Sequence, residues 1–126
     1  GGGTNTLITP TPGPGVTNNY SSGAATGVSL SSGGCITSSG PENSYYWLQC
    51  PADSRSYTAS MCTGTSYDSV AYARLNGAQI GCDDDYCAFF GPSRFAGAVS
   101  SGAGVVQLFI DGYGGGSGAY TVAVTF

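Results

Sequence analysis

The stretch GCDDDYC, residues 81–87, carries the residue types in this chain that are best suited to chemistry. Three consecutive aspartates stand between two cysteines, in a chain where only 8% of the residues are charged. Calcium binds several carboxylate and carbonyl oxygens at about 2.3–2.6 Å, and an aspartate further upstream could supply one more. The candidate calcium ligands are therefore Asp68, Asp83, Asp84 and Asp85.

The same stretch also fits a structural interpretation, in which a disulfide closes a polar turn. Cys82 and Cys87 are near enough in sequence to bring their Cα atoms within the roughly 4.4–6.8 Å that a disulfide requires. Aspartate favours such turns because its carboxylate accepts hydrogen bonds from nearby backbone N–H groups. We predict a Cys82–Cys87 disulfide. Cys35 then pairs with Cys62, or alternatively with Cys50, and the odd count of five cysteines leaves one over.

An enzymatic function is not expected from these residues. The chain contains no histidine and no lysine, which excludes a Ser-His-Asp or Cys-His relay and any histidine-ligated metal. A glycosidase needs two carboxyls at a set separation, one of them with a raised pKa. Consecutive aspartates on a short loop point in different directions instead. We therefore expect a non-catalytic protein.

Charge and cysteine content narrow the class of partner. The three cations, Arg55, Arg74 and Arg94, leave a net charge of −4. The clustered positive charge that binds a nucleic acid or an anionic membrane surface is therefore missing. No apolar run is long enough to span a bilayer, so we expect no membrane insertion. Low charge combined with several cysteines is typical of an extracellular protein from an oxidising compartment.

Residues 1–19 differ in composition from the rest of the chain and predict an extended arm or linker. A run of prolines and glycines excludes a helix, and Leu7 and Ile8 are among the few residues there that could be buried. Threonines among prolines are typical of O-glycosylated stalks, and an Asn-Tyr-Ser triplet is an N-glycosylation sequon. The candidate glycosylation sites are Asn19, Thr4, Thr6, Thr9 and Thr11.

The rest of the chain contains short β-type segments separated by glycine-rich turns. Alternation places Tyr57, Ala59 and Met61 on one strand face, Asn76-Gly77 is a type I′ hairpin signal, and no stretch has helical periodicity. The aromatic residues expected in the core or on a half-exposed face are Tyr45, Trp47, Tyr57, Tyr72 and Tyr120. The predicted strand segments are 45–50, 55–62, 69–75, 76–82, 93–100, 104–111 and 119–126.

This pattern predicts an all-β fold, in which residues 20–126 form a single antiparallel β-sandwich or jelly-roll-like domain preceded by the arm. Residues 24–126 also resemble, in order, the bacterial pre-peptidase C-terminal domain, a secreted β-sandwich module. The matching stretches are GPENSYYWLQCPA, SRSYTASMCTGTSYDSVAYARL, NGAQIGCDDDYC and GAGVVQLFIDGYGGGSGAYTVAVTF. The resemblance implies a non-catalytic accessory module of a secreted hydrolase, and some members bind calcium or an insoluble substrate.

Two functions follow as hypotheses. In the first, the protein is a self-assembling extracellular structural protein. Its arm adds a strand to the open edge of a neighbouring sandwich, with Leu7 and Ile8 filling pockets, and repetition gives a filament or surface layer. In the alternative, it is an accessory module that uses calcium or aromatic loops to bind a polysaccharide or a protein. We favour the first hypothesis.

Overall fold

A computed structural model describes residues 5–9, 17–26, 43–50, 54–83, 87, 91–101, 104–112 and 117–125. Within these ranges the chain forms β-strands and turns, and none of it is helical or could cross a membrane as a helix. The strands are β1 (Asn5–Leu7), β2 (Thr17–Thr26), β3 (Asn43–Gln49), β4 (Ser54–Ser60), β5 (Ser69–Leu75), β6 (Ala78–Asp83), β7 (Arg94–Ser101), β8 (Gly104–Gly112) and β9 (Ser117–Thr125).

The strands are arranged in two sheets that form a β-sandwich, as the sequence predicts. One sheet has five strands in the order β1-β3-β8-β5-β6, and the other has four in the order β2-β9-β4-β7. Neighbouring strands pair antiparallel, with one difference from the prediction: β1 runs parallel to β3. Residues near the N-terminus thus occupy one edge of the five-stranded sheet.

The predicted strands agree closely with the observed ones. β5 has the predicted bounds, and the bounds of the other predicted strands agree to within two residues. Strand β2 is absent from the sequence prediction. Because β2 begins at Thr17, the predicted boundary between an arm (1–19) and a sandwich (20–126) falls inside this strand.

Alternation along the strands builds the main core between the sheets. The five predicted aromatic residues are all buried, at 6% exposure or less. The core cluster consists of Ile8, Tyr45, Trp47, Tyr57, Ala59, Met61, Ala71, Ala73, Val106, Leu108, Ile110, Tyr120, Val122 and Val124. Fully burying one of its large side chains contributes about 1.5–3 kcal/mol, so this cluster is the principal source of stability.

A second cluster is buried on the opposite face of the five-stranded sheet. It consists of Val70, Tyr72 and Phe109, with Cys82 packed against it, and we call it the outer cluster. The Tyr72 and Phe109 rings stack with their centroids 4.8 Å apart. The Arg74 guanidinium lies over both rings, 5.4 and 5.2 Å from their centroids, which is the geometry of a cation–π contact. Strand β5 therefore buries both of its faces.

The Asn76-Gly77 hairpin is confirmed and is also fixed to β8. Both residues have the positive φ that a type I′ turn requires, 49° and 85°. The Asn76 backbone N–H donates to the Val105 carbonyl at 2.9 Å, and the Val105 N–H donates to Asn76 Oδ1 at 2.9 Å. A Cβ on Gly104 would overlap the Asn76 side chain. Glycine at position 104 therefore allows the turn to dock closely against β8.

Candidate functional site

Strand β1 covers the edge of β3 in the same chain. Asn5 lies opposite Ser44 and Leu7 opposite Tyr46, in parallel register. Ile8 continues the pairing, because its backbone N–H donates to the Tyr46 carbonyl at 2.9 Å. This part of the predicted arm is therefore an edge strand of the sandwich. We call the β3 edge together with β1 the arm-docking edge.

Two side-chain contacts fix the register at the arm-docking edge. Ile8 is only 8% exposed and belongs to the core cluster that includes Trp47. The Ser44 hydroxyl donates to Asn5 Oδ1 at 2.8 Å. Leu7, in contrast, is 57% exposed. Because side chains alternate between faces, a one-residue slip of β1 would turn Ile8 outward and Leu7 inward. Of the two predicted assembly residues, Ile8 is the buried anchor.

The large hydrophobic side chains that are exposed among the described residues lie beside this edge. They are Leu7 on β1, Leu48 on β3 and Val105 on β8. Leu48 and Val105 are direct neighbours in the β3–β8 register, and Leu7 lies on the next strand. We call these three residues the exposed apolar patch. Single exposed hydrophobics are ordinary, whereas a grouped set indicates an interaction surface.

Two of the four candidate calcium ligands, Asp68 and Asp83, lie among the described residues. Asp83 ends β6, and its Oδ2 accepts a hydrogen bond from the Arg94 backbone N–H at 3.0 Å. Asp68 is half-buried just before β5, while Asp84 and Asp85 lie outside the described residues. In the part of the chain that the structure places, no group of three or more His, Cys, Asp or Glu side chains could hold a metal. Calcium binding stays a prediction.

The structure corrects the predicted disulfide pairing. Cys62 is bonded to Cys87, with their Cα atoms 5.3 Å apart, so neither the predicted Cys82–Cys87 pair nor the predicted Cys35–Cys62 pair is formed. Cys82 is also disulfide-bonded, but to neither residue of that pair. Cys35 lies outside the described residues. The interpretation of GCDDDYC as a turn closed by its own two cysteines is therefore wrong.

Backbone pairing explains this outcome. The Met61 N–H donates to the Ser93 carbonyl at 2.8 Å, and the Cys87 N–H donates to the Pro92 carbonyl at 3.0 Å. These bonds hold the segment before β7 next to the end of β4, where Cys62 follows. Cys82 packs instead against the outer cluster. Proximity in the fold, and not in sequence, decides the pairing.

A buried polar cluster between the sheets has no counterpart in the sequence prediction. The Tyr45 and Tyr120 hydroxyls lie 2.7 Å apart, and Asn43 Nδ2 donates to the Tyr120 hydroxyl at 3.3 Å. Strands β3 and β9 belong to different sheets, so these hydrogen bonds join the two layers. The sequence predicts that both tyrosines lie in the core or on a half-exposed face, but it gives no indication that their hydroxyls meet.

Tyr67 packs against the core with its hydroxyl buried. That hydroxyl has no hydrogen-bond partner among the residues that the structure describes. Burial raises the pKa of Tyr67 well above its ordinary value, and the nearby Tyr120 and Asp111 raise it further. The folded protein therefore holds Tyr67 in its neutral form.

We expect Tyr67→Phe to weaken the alkaline sensitivity of the fold. Because the pKa of Tyr67 is raised on folding, its contribution to stability is complete below about pH 10 and is lost as the pH rises above that value. Removing the hydroxyl removes this loss. The substitution leaves stability at neutral pH unchanged or slightly higher, because the Tyr67 hydroxyl makes no hydrogen bond within the described ranges of the chain. Urea unfolding at several values between about pH 9 and pH 12 measures the effect. An unchanged pH slope would contradict it.

The candidate glycosylation sites fall in different surroundings. Thr6 in β1 and Thr9 just after it are exposed. Asn19 lies within β2, opposite Ala123 of β9. Thr4 and Thr11 lie outside the described residues. Glycosylation at these positions stays a prediction.

Comparisons with known proteins add no relative. The chain matches no protein-family model, no curated protein and no solved structure. The class that the structure defines is an all-β sandwich with at least one long-range disulfide and an N-terminal strand on its edge. The resemblance to the pre-peptidase C-terminal domain stays a prediction from the sequence motifs.

Proposed function

We propose that this chain is a non-catalytic extracellular structural protein that assembles into a filament or surface layer. The arm of each subunit adds a strand to the sandwich of a neighbour. The observation that carries this proposal is β1, a three-residue strand docked on the edge of β3. Exchange of an identical element between subunits has a low cost, because the contacts made within one chain are remade between two.

The length of the connection allows such an exchange. Residues 8–16 separate β1 from β2, and an extended chain advances about 3.3–3.6 Å per residue. The connection can therefore span roughly 30 Å, comparable with the diameter of a compact domain of this size. Its prolines favour an extended conformation. β1 can thus reach an edge on a neighbouring sandwich without unfolding β2.

The surface next to the edge favours contact with a second copy. The exposed apolar patch adjoins β1, and its neighbours across the strands, Tyr46 and Gln107, are uncharged. The chain carries a net charge of −4, so two copies repel each other on average. An uncharged apolar surface avoids this repulsion and gains from burial.

The disulfides support the extracellular part of the proposal. Cys62, Cys87 and Cys82 are all oxidised, and such bonds persist in oxidising compartments, whereas cytosolic thiols are kept reduced. A structural protein exposed outside the cell also benefits from covalent cross-links when its domain is small.

Assembly of the intact chain tests the proposal. We expect sedimentation velocity to detect species that grow with protein concentration, and electron microscopy to display filaments or sheets of uniform repeat. A single monomeric species at every concentration, with the sandwich folded by circular dichroism, would contradict the proposal. Adding calcium and then a chelator to the same samples separates arm-driven assembly, which needs no metal, from metal-driven association.

A further inference from the structure

The β3 edge does not recognise all four docked residues, 5–8, equally. Backbone hydrogen bonds of β1 with β3 can be made by any extended segment, so they carry no sequence information. Thr6 and Leu7 are exposed, so their side chains contribute little to selection. Asn5 is exposed as well, but its side chain accepts a hydrogen bond from Ser44. Asn5 and Ile8 are different, because each makes a specific contact in the sandwich.

Asn5 contributes a directional hydrogen bond at the start of the strand. Its Oδ1 accepts the Ser44 hydroxyl at 2.8 Å, and Ser44 itself is buried. This hydrogen bond is part-buried, so losing the acceptor costs about as much as one ordinary hydrogen bond. Ser44 therefore favours an incoming residue with a side-chain oxygen at this one register position.

Ile8 contributes the apolar anchor at the other end. It is buried with Tyr45 and Trp47 in the main core, and its backbone N–H is bonded to Tyr46. An exposed edge strand usually leaves its side chains at the rim, but this residue enters the core between the sheets. Two residues, Thr6 and Leu7, lie between the two contacts, which defines the pattern Asn-x-x-Ile.

We infer that the β3 edge is a binding site that selects an extended Asn-x-x-Ile segment in parallel register, and that its occupant in the assembly is residues 5–8 of a second copy of this chain. This inference rests on the proposed function and names its recognition residues. The same contacts of Asn5 and Ile8 serve within one chain and between chains. A single chain therefore covers its own edge until the arm of a neighbour replaces β1.

Cysteine cross-linking tests the register and the origin of the strand together. In the variant Asn5→Cys with Ser44→Cys, made in a Cys50→Ser background, the two new thiols face each other at the register pair. After assembly and mild oxidation, we expect a ladder of covalent oligomers on a non-reducing gel. The matched control is Asn5→Cys with Tyr46→Cys, whose positions share a face but are two residues out of register, and it should give no ladder.

The possible outcomes separate the inference from the proposed function. Filaments in which the new disulfide forms only within single chains would overturn the inference, because each arm would then remain on its own edge. The proposed assembly would still stand. A ladder from the out-of-register control would overturn the predicted register. If the unmodified chain never assembles, the proposed function fails and the inference fails with it.

Sequence selection is measured separately. We expect Asn5→Ala to weaken the docking of residues 5–8 on β3 by roughly fivefold, the equivalent of one lost hydrogen bond. Because this bond is lost equally within one chain and between chains, the measurement is hydrogen exchange at β3 and not the concentration at which assembly begins. Thr6→Ala, on the exposed neighbour, should leave that exchange within about twofold of the parent rate. Equal effects of the two substitutions would mean that the edge does not select at Asn5.

Discussion

Replacing both Cys62 and Cys87 by alanine should lower the free energy of unfolding by about 3.5 kcal/mol. The cysteines are 25 residues apart in sequence, and closing a loop of that length in the unfolded chain accounts for roughly this amount. A domain of this kind has a total stability of only about 5–15 kcal/mol. The loss would therefore move the unfolding midpoint far toward lower denaturant concentration.

Trp47 provides the measurement, because it is the single tryptophan of the chain and is buried. Its fluorescence during guanidinium unfolding gives the free energy for the parent and the double variant. Cys50→Ala, at an exposed position outside this disulfide, is the control and should change the free energy by less than about 0.5 kcal/mol. A double variant as stable as the parent would contradict the predicted contribution.

The pairing expected from the sequence, Cys82–Cys87, would close a much shorter loop and contribute only about 2 kcal/mol.

The second large effect is expected from Ile8→Asp, which should release β1 from its edge and abolish assembly. The substitution removes about 2 kcal/mol of apolar burial and would place a carboxylate in the core, where a charge without a partner is very costly. Because β1 can leave the edge, the fall in the free energy of unfolding is limited to the contribution of β1 docking. The sandwich itself should stay folded.

Leu7→Asp is a matched control for the docking of β1 alone, since the neighbouring side chain is largely exposed. Leu7 belongs to the exposed apolar patch, so assembly is expected to weaken in this variant too. Hydrogen exchange at β3 and protease cleavage near residue 8 should increase strongly for Ile8→Asp and little for Leu7→Asp. Mixed with the parent chain, Ile8→Asp should shorten filaments at substoichiometric amounts, because it accepts a neighbour's arm but donates none. If both variants assemble like the parent, the arm is not the contact.

The strands were predictable because the sandwich core depends on a local pattern. Alternation at Tyr57, Ala59 and Met61 specifies one buried face wherever the partner strand lies, and all three are buried at 2% exposure or less. Asn76-Gly77 has few conformations available other than its tight turn. In these cases the information is contained in neighbouring residues.

The features that sequence reasoning missed depend on distant contacts. Strand β2, TNNYSSGAAT, lacks apolar alternation in its sequence, and its place in the sheet is defined by pairing with the distant strand β9. The Cys62–Cys87 pair depends on how the segment before β7 returns to the end of β4. Leu7 and Ile8 stand out in the arm as the apolar pair, but which of them enters the core depends on the register with β3. None of these relations has a local signature.

The arm and the edge that accepts it are different surfaces of one chain, and this difference gives any assembly a direction. Each subunit would donate at one side and accept at the other, so all subunits point the same way along the fibre. One terminus would present an uncovered β3, and the opposite terminus an undocked arm. Such a fibre has two chemically distinct ends, which can grow at different rates and can be anchored or capped separately.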